Sequence, residues 1–317
     1  MNANVIRRRS LAVGVAAALT VPIAPTVAGA ATGPTGAPGA TGGGVTVDVG
    51  RLVLDPTSRG YQGQVTITVS NGSAKAVSHV RVTEPVAGSW QGTLTDELCM
   101  TTGPVEYRRS FDCAVHVPPG QSQRLTARFE VLTAPQPYPM YATGGQVGVK
   151  LGHSAPVTAR QDFRTLFRST SGSSDGVRPY RQDTTGDAGI VTPPEVLLTR
   201  EADGRFTGWM RVSARWDSDA PHSSLEVRSA LPDGMDIVDM DPVDLPVFAT
   251  YFVVPGGRLA EGEERSFRIR LTAPAGSPVG TLGTGVFTVS SHYEGGDVPD
   301  RDPADDTASF TVVTAEA

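Results

Sequence analysis

The sequence predicts an all-β protein, two tandem antiparallel β-sandwiches behind a secretory signal peptide. Three observations predict it. Short runs that alternate apolar and polar residues recur from Val45 to the C-terminus. Turn-forming clusters separate them, in a 317-residue chain with 36 glycines and 25 prolines. No stretch of about twelve residues holds a 3.6-residue apolar period. With 39% apolar and 19% charged residues, the chain is neither disordered nor a multi-span membrane protein.

The N-terminus comes first. "MNANVIRRRS" carries three arginines, "LAVGVAAALTVPIA" is a short apolar run, and Ala28-Gly29-Ala30 offers small residues for cleavage before Ala31. This three-part pattern marks residues 1–30 as a signal peptide. Arg8-Arg9-Ser10-Leu11 resembles a twin-arginine signal, so the export route stays open. The apolar run is too short to span a bilayer and contains Pro22. No other segment reads as membrane-spanning. The expectation is a secreted protein, extracellular or loosely associated with the cell wall. Residues 31–44, "ATGPTGAPGATGGG", hold too few Gly-X-Y triplets for a collagen helix and read as a flexible spacer.

Residues 45–168 form the first sandwich. "VTVDVGRLVL", "GQVTITVSN", "VSHVRVTEP", "FDCAVHV", "QRLTARFEVL" and "GGQVGVKL" are its half-buried strands. Asn71-Gly72-Ser73 matches a glycosylation acceptor, but Asn-Gly between strands points instead to a turn with positive φ. The only cysteines, Cys99 and Cys113, bracket "CMTTGPVEYRRSFDC". Their spacing is far from Cys-x-x-Cys, and an oxidising compartment favours pairing. They are expected to form a disulfide across two extended arms, with the turn at Gly103-Pro104. Residues 169–186 are polar and turn-rich and read as a linker.

Residues 187–317 form the second sandwich, from "EVLLTRE" to "TASFTVV". The halves look like one repeat. Gly63 onward matches Gly208 onward, and Gly120 onward matches Gly262 onward, in the same order and at similar offsets. Trp209 and Trp216 differ by an odd number of residues, so on one strand they face opposite sides, one toward the core.

With these motifs in view, the chain resembles the conserved-repeat Ig-like domains of bacterial surface proteins. The resemblance rests on "TITVSNGSAKAVSHVRVTEP" and "VPPGQSQRLTARFEV" in the first half, and on "LEVRSALPDGM", "LAEGEERSFRIRLTAP" and "DPADDTASFTVV" in the second. The related cell-adhesion-type bacterial domain shares the last two motifs. The end of the first half, "HSAPVTARQDFRTLF", lacks the Asp-rich turn. The resemblance implies two extracellular Ig-like sandwiches used for adhesion, spacing or assembly, and brings no catalytic residues.

There is no Gly-x-Ser-x-Gly elbow and no phosphate-cradling loop ahead of a helix. His79, His116, His153, His222 and His292 are scattered, with no local metal-ligand spacing, and most are expected to be exposed. No catalytic, cofactor-binding or metal-binding residue is assigned, and no cofactor is expected. Glu294, Asp297, Asp300, Asp302, Asp305 and Asp306 could suit calcium, but a turn whose Asp side chains cap the backbone is preferred. The stretch from Asp233 to Asp244 is treated in the same way.

Residues 45–168 carry 12 basic and 9 acidic side chains, a balance of +3; residues 187–317 carry 10 and 22, a balance of −12. The acidic half argues against nucleic acid and anionic lipid as partners. The contrast could also orient the halves, although solubility alone explains it. The function expected is noncatalytic adhesion, spacing or assembly, with an envelope or extracellular protein or glycan as partner. A glycan- or peptide-binding module is the alternative. A secreted hydrolase with dispersed residues is the third reading.

Overall fold

The computed structural model describes residues 44–94, 99–105 and 107–317. The predicted signal peptide and nearly all of the predicted spacer lie outside the described residues. Among the described residues every regular element is a strand, and there is no helix.

The first sheet holds β1 (Val45–Val49), β2 (Leu52–Thr57), β3 (Gly60–Asn71), β4 (Val77–Thr83), β5 (Trp90–Thr93), β6 (Cys99–Val105), β7 (Arg108–Val117), β8 (Ser122–Val131), β9 (Met140–Lys150), β10 (Val157–Phe167) and β11 (Arg178–Pro179). Its order is β5-β8-β3-β2-β10-β9-β4-β7-β6, with β1 also on β3 and β11 on β9. The second holds β12 (Ala188–Val191), β13 (Glu195–Arg200), β14 (Phe206–Trp216), β15 (Ser224–Ala230), β16 (Asp236–Asp241), β17 (Tyr251–Val253), β18 (Glu263–Ala273), β19 (Gly280–Tyr293), β20 (Gly296–Asp297) and β21 (Thr307–Ala315). Its order is β16-β18-β14-β13-β21-β19-β15-β17, with β12 also on β14 and β20 on β19.

Each sheet curls around its own core. β2 pairs antiparallel with β3 on one side and parallel with β10 on the other, so it forms the crease of the first sheet. Side chains alternate across a strand. The inward set Val65, Ile67 and Val69 of β3 therefore meets Val80 and Val82 of β4 and Val147 and Val149 of β9 in one cluster. β13 plays the same part in the second sheet, antiparallel to β14 and parallel to β21. There Met210, Val212 and Ala214 meet Val227, Phe287 and Val289.

The repeat read from the sequence reappears in the backbone. Gly120 N–H donates to Asn71 O at 2.6 Å, and Gly262 N–H donates to Trp216 O at 2.8 Å, closing equivalent turns. A Cβ on Gly63 would run into the carbonyl oxygen of Val53, and one on Gly208 into that of Leu197. The two aligned glycines thus serve the same close approach at the crease. Gly145 lies under the Phe163 ring opposite it, and Gly285 under Phe310.

Several local expectations need correction. Gly103-Pro104 is not the turn of the disulfide hairpin. It lies in an irregular stretch of β6 where the register shifts, and the hairpin instead closes beyond it, where Val105 pairs with Arg108 and Tyr107 has φ 65°. Asn71-Gly72 does not use positive φ. Asn71 is buried instead, its amide donating to Lys75 O at 2.9 Å and Val117 O at 2.8 Å while its Oδ1 accepts from Ser73 N at 3.0 Å. The side chain, not the backbone, makes this turn. The strand β10 was not read from the sequence, because its first six residues carry no buried side chain.

Candidate functional site: the cleft between the two sheets

The described residues belong to one compact unit, and the two sheets meet end to end within it. Glu84 follows β4 directly and is fully buried. Its carboxylate accepts from Gly88 N at 3.0 Å, Trp90 N at 2.9 Å and Arg109 N at 3.0 Å. The Arg109 guanidinium adds bonds at 3.1 and 2.8 Å. Tyr293 OH, from β19 of the second sheet, donates at 3.4 Å. A buried carboxylate is tolerable only when its lone pairs are filled this way. Burial opposes the Arg109 charge, yet the Glu84 bonds and charge outweigh it and raise the Arg109 pKa. Burial and the Glu84 charge push the Tyr293 phenol up as well.

Further pairs cross the joint. Arg59 donates to Arg258 O at 2.6 Å and to Glu263 at 3.3 Å. Arg258 reaches back to Gly88 O and to Glu130. Glu261 N donates to Leu132 O at 3.0 Å, while its carboxylate accepts from Thr133 Oγ1 at 3.0 Å and Ala134 N at 2.7 Å. Behind Arg258, the buried His222 accepts from Leu259 N at 3.1 Å and lies against the Trp216 ring. Burial lowers its pKa to about 4.

The predicted linker is tied into this joint. Gln182 exchanges bonds with Ala87 N and O at 3.1 and 3.0 Å and donates to Asp219 O at 3.0 Å. Tyr180 donates its hydroxyl to Asp219 at 2.7 Å. Burial, then the Asp219 charge, holds the Tyr180 pKa well above its usual value; burial likewise raises Asp219.

Beside the joint lies a cleft of about 430 Å³. Val86, Ala142 and Pro221 make its floor, and Tyr180 and Tyr293 add ring surface. Tyr107 and Arg108 stand on the rim from the first sheet, Asp183 and Asp297 on the side of the linker and the second. Both hydroxyls of Tyr180 and Tyr293 are used at the joint, so what remains for the cleft is ring surface. Asp297 pairs with His292 at 2.8 Å, Asp183 pairs with Arg301 at 2.9 Å, and Arg108 donates to Gly144 O at 2.8 Å.

Two sequence leads converge here. Cys99 and Cys113 face each other on β6 and β7 and form a disulfide, as expected. The residues they enclose divide: Tyr107 and Arg108 line the cleft, while Arg109 turns into the joint. The acidic stretch also divides. Asp297 lines the cleft, and Glu294 pairs with Arg109 at 3.6 Å. Asp300 accepts from Ala188 N and Asp302 N, each at 2.8 Å, and Asp302 accepts from Ala304 N at 3.3 Å. Asp305 pairs with Arg215. Asp306 is raised to about 6 by burial and by Asp300, Asp305 and Asp187. In the other acidic stretch, Asp241 pairs with Arg268 and Asp244 accepts from Gly256 N at 2.6 Å. Among the described residues no group of three or more His, Cys, Asp or Glu is placed to hold a metal ion.

The aromatic expectation resolves by face. Trp216 is 1% exposed and Trp209 is 42% exposed, beneath the Arg268 guanidinium at 5.3 Å. Trp90 stacks on Phe111 at 4.7 Å. The histidines depart from expectation in two ways: His222 is buried, and His79 meets His153. Sequence reading missed Glu84, Tyr180, Glu261 and Arg258 altogether. Only Glu84 leaves a trace, a carboxylate before Pro85 at the end of an alternating run.

No family model matches the chain, and no curated protein matches it. It is similar to the crystal structure of a protein of unknown function from Porphyromonas gingivalis W83, at 13% identity and a TM-score of 0.21, over 84% of this chain and 98% of that one. It is also similar to a mutant of the CFA/I enterotoxigenic E. coli adhesin CfaE, at 10% identity and a TM-score of 0.26, over 83% of this chain and 80% of that one. Both scores are low, and neither neighbour bears on what this chain does. Among the described residues no helix is long and apolar enough to cross a membrane.

Proposed function

We propose that this is a noncatalytic secreted protein of two tandem Ig-like modules that acts in extracellular or cell-envelope adhesion, spacing or assembly, with the cleft as its contact site. The observation that carries the reading is the joint. Arg59, Arg258 and Glu261 bond from one sheet to the other, Tyr293 reaches the buried Glu84, and the cleft is formed beside them. A fixed two-module body suits spacing and presentation better than a flexible string does. The shared strand order, with a crease strand parallel to the last long strand of each sheet, supports tandem Ig-like modules. The noncatalytic reading is supported by how the ionisable groups of the cleft are used. Asp183, Asp297, Tyr180 and Tyr293 each hold a structural partner. The alternative of a glycan- or peptide-binding module is favoured by the ring surfaces of Tyr180 and Tyr293 in the cleft.

The test is crosslinking of the purified full chain to envelope fractions of the producing cells. Thr143→Arg and Thr184→Arg, two exposed changes on the cleft rim, serve as blocked variants. Enrichment of an envelope component by the native chain, lost in both folded variants, supports the proposal. No enrichment, or equal enrichment by the variants, overturns it.

A further inference from the structure

The first sheet brings together two histidines that are far apart in sequence. His79 lies on β4, and His153 lies in the exposed turn that follows β9. Their ring centres are 5.0 Å apart and their planes are inclined at 58°. Two imidazoles sharing one tetrahedral ion, with metal–nitrogen bonds of about 2.0–2.1 Å, have ring centres about 5 Å apart. Stacking for its own sake does not require an inclined pair.

The surroundings hold the His79 ring and the His153 backbone in place. His79 Nδ1 is 2.9 Å from Ser78 Oγ. Donation to that hydroxyl leaves the Nε2 lone pair to a ligand, the outer-shell arrangement that usually orients a metal-binding histidine. His153 is anchored through its backbone, because Lys150 Nζ donates to His153 O. Lys150 in turn pairs with Asp112 at 3.0 Å, and Asp112 is gripped by Arg81 at 2.8 and 2.7 Å. The charged groups around the pair are therefore Arg81 on β4, Asp112 on β7 and Lys150 on β9. The Asp112 carboxylate offsets one of the two cations, and both cations are already committed to it.

We propose that His79 and His153 form a two-imidazole site for a divalent transition-metal ion of the zinc or copper class. Nitrogen donors select such ions over calcium and magnesium, which prefer oxygen. No third protein ligand converges among the described residues, so the remaining positions belong to water or to a donor from outside the chain. The site is distinct from the cleft and does not depend on the function proposed for it.

The test is isothermal titration of the chelator-stripped full chain with zinc chloride, compared with calcium chloride. One zinc per chain is expected, with no calcium heat at the same concentration. His79→Ala and His153→Ala should each weaken zinc at least about tenfold, and Ser78→Ala should weaken it by about the same factor by releasing the His79 ring. His292→Ala, on the other sheet, should leave zinc binding unchanged. His153 is exposed, so its variant retains the fold and keeps the test decisive. Absence of zinc binding by the native chain overturns the proposal, and so does zinc binding that survives both single variants.

Discussion

Replacing Glu84 tests the account of the joint most severely. Glu84→Ala removes the acceptor of three backbone N–H groups and of the Arg109 side chain, all at a site with no exposed carboxylate surface. Leaving the Arg109 cation, whose side chain is 21% exposed, without the fully buried Glu84 costs about 3 kcal/mol, toward the low end for buried pairs, and each orphaned N–H adds to the loss unless water enters. Arg109 keeps the Phe111 and Tyr293 rings and the partly exposed carboxylate of Glu294 at 3.6 Å. The expected net loss is therefore about 4 kcal/mol, a fall in melting temperature on the order of 10 °C. Urea unfolding would give the free energy, and hydrogen exchange would show the amides of Gly88, Trp90 and Arg109 losing protection. Glu294→Ala, by contrast, should cost under about 1 kcal/mol, as exposed pairs do. Glu84→Leu combined with Arg109→Met should recover only the charge part of the loss, because the N–H groups of Gly88, Trp90 and Arg109 still lack their acceptor. A loss below about 1 kcal/mol for Glu84→Ala would refute the view that this carboxylate organises the joint.

Four further outcomes follow from the same structure. Nonreducing mass spectrometry should find Cys99 joined to Cys113, and Cys99→Ser with Cys113→Ser should cost about 3 kcal/mol for a loop of about 15 residues. His222 has a folded pKa of about 4 against 6.5 unfolded, so the unfolded chain takes the proton more readily. Its share of stability is whole above about pH 6.5 and is lost as pH falls through 4, by about 3 kcal/mol; His222→Gln should flatten that part of the melting curve against pH. Asp306 has the opposite sign, with a folded pKa of about 6 against 3.8. Its ionisation weakens the fold as pH rises through 6, so Asp306→Asn should stabilise the protein by up to about 1 kcal/mol at pH 7.5, after allowance for solvent screening, and by nothing at pH 3.5. Gly63→Ala and Gly208→Ala should each cost about 2 kcal/mol or more in urea unfolding, since the added methyl meets a backbone carbonyl of the crease strand.

The strands were legible where one face is buried and the other wet. β3, β8, β14 and β18 alternate in sequence because each has a single inward face, and the glycines in or just before them match between the halves. β10 was illegible because its first half buries neither face. The disulfide was legible from spacing and compartment. The positions of Tyr107, Arg108 and Arg109 relative to the cleft were not, because they depend on a register shift inside β6. The joint was hidden for a different reason. Periodicity reports on neighbours along a strand, whereas Glu84 with Tyr293, and Thr133 with Glu261, are partners only once two separate sheets have folded.

The uneven charge of the halves gains meaning at the joint. Arg59 and Arg109 of the more basic half meet Glu263 and Glu294 of the acidic half, so some pairs of opposite sign lie across the joint. Arg258 and Glu130 run the other way, which shows that net charge alone does not set the contact. The contact rests instead on hydrogen-bonded groups in fixed places, among them Gln182, Arg258 and Glu261. Such groups leave little freedom for one module to swing against the other. The cleft is lined by residues of both sheets and of the stretch between them, and the bonds at the joint fix that lining in the folded chain. The desolvation cost of the Glu84 carboxylate beside Tyr293 is thus met during folding, by hydrogen bonds that the folded chain itself supplies.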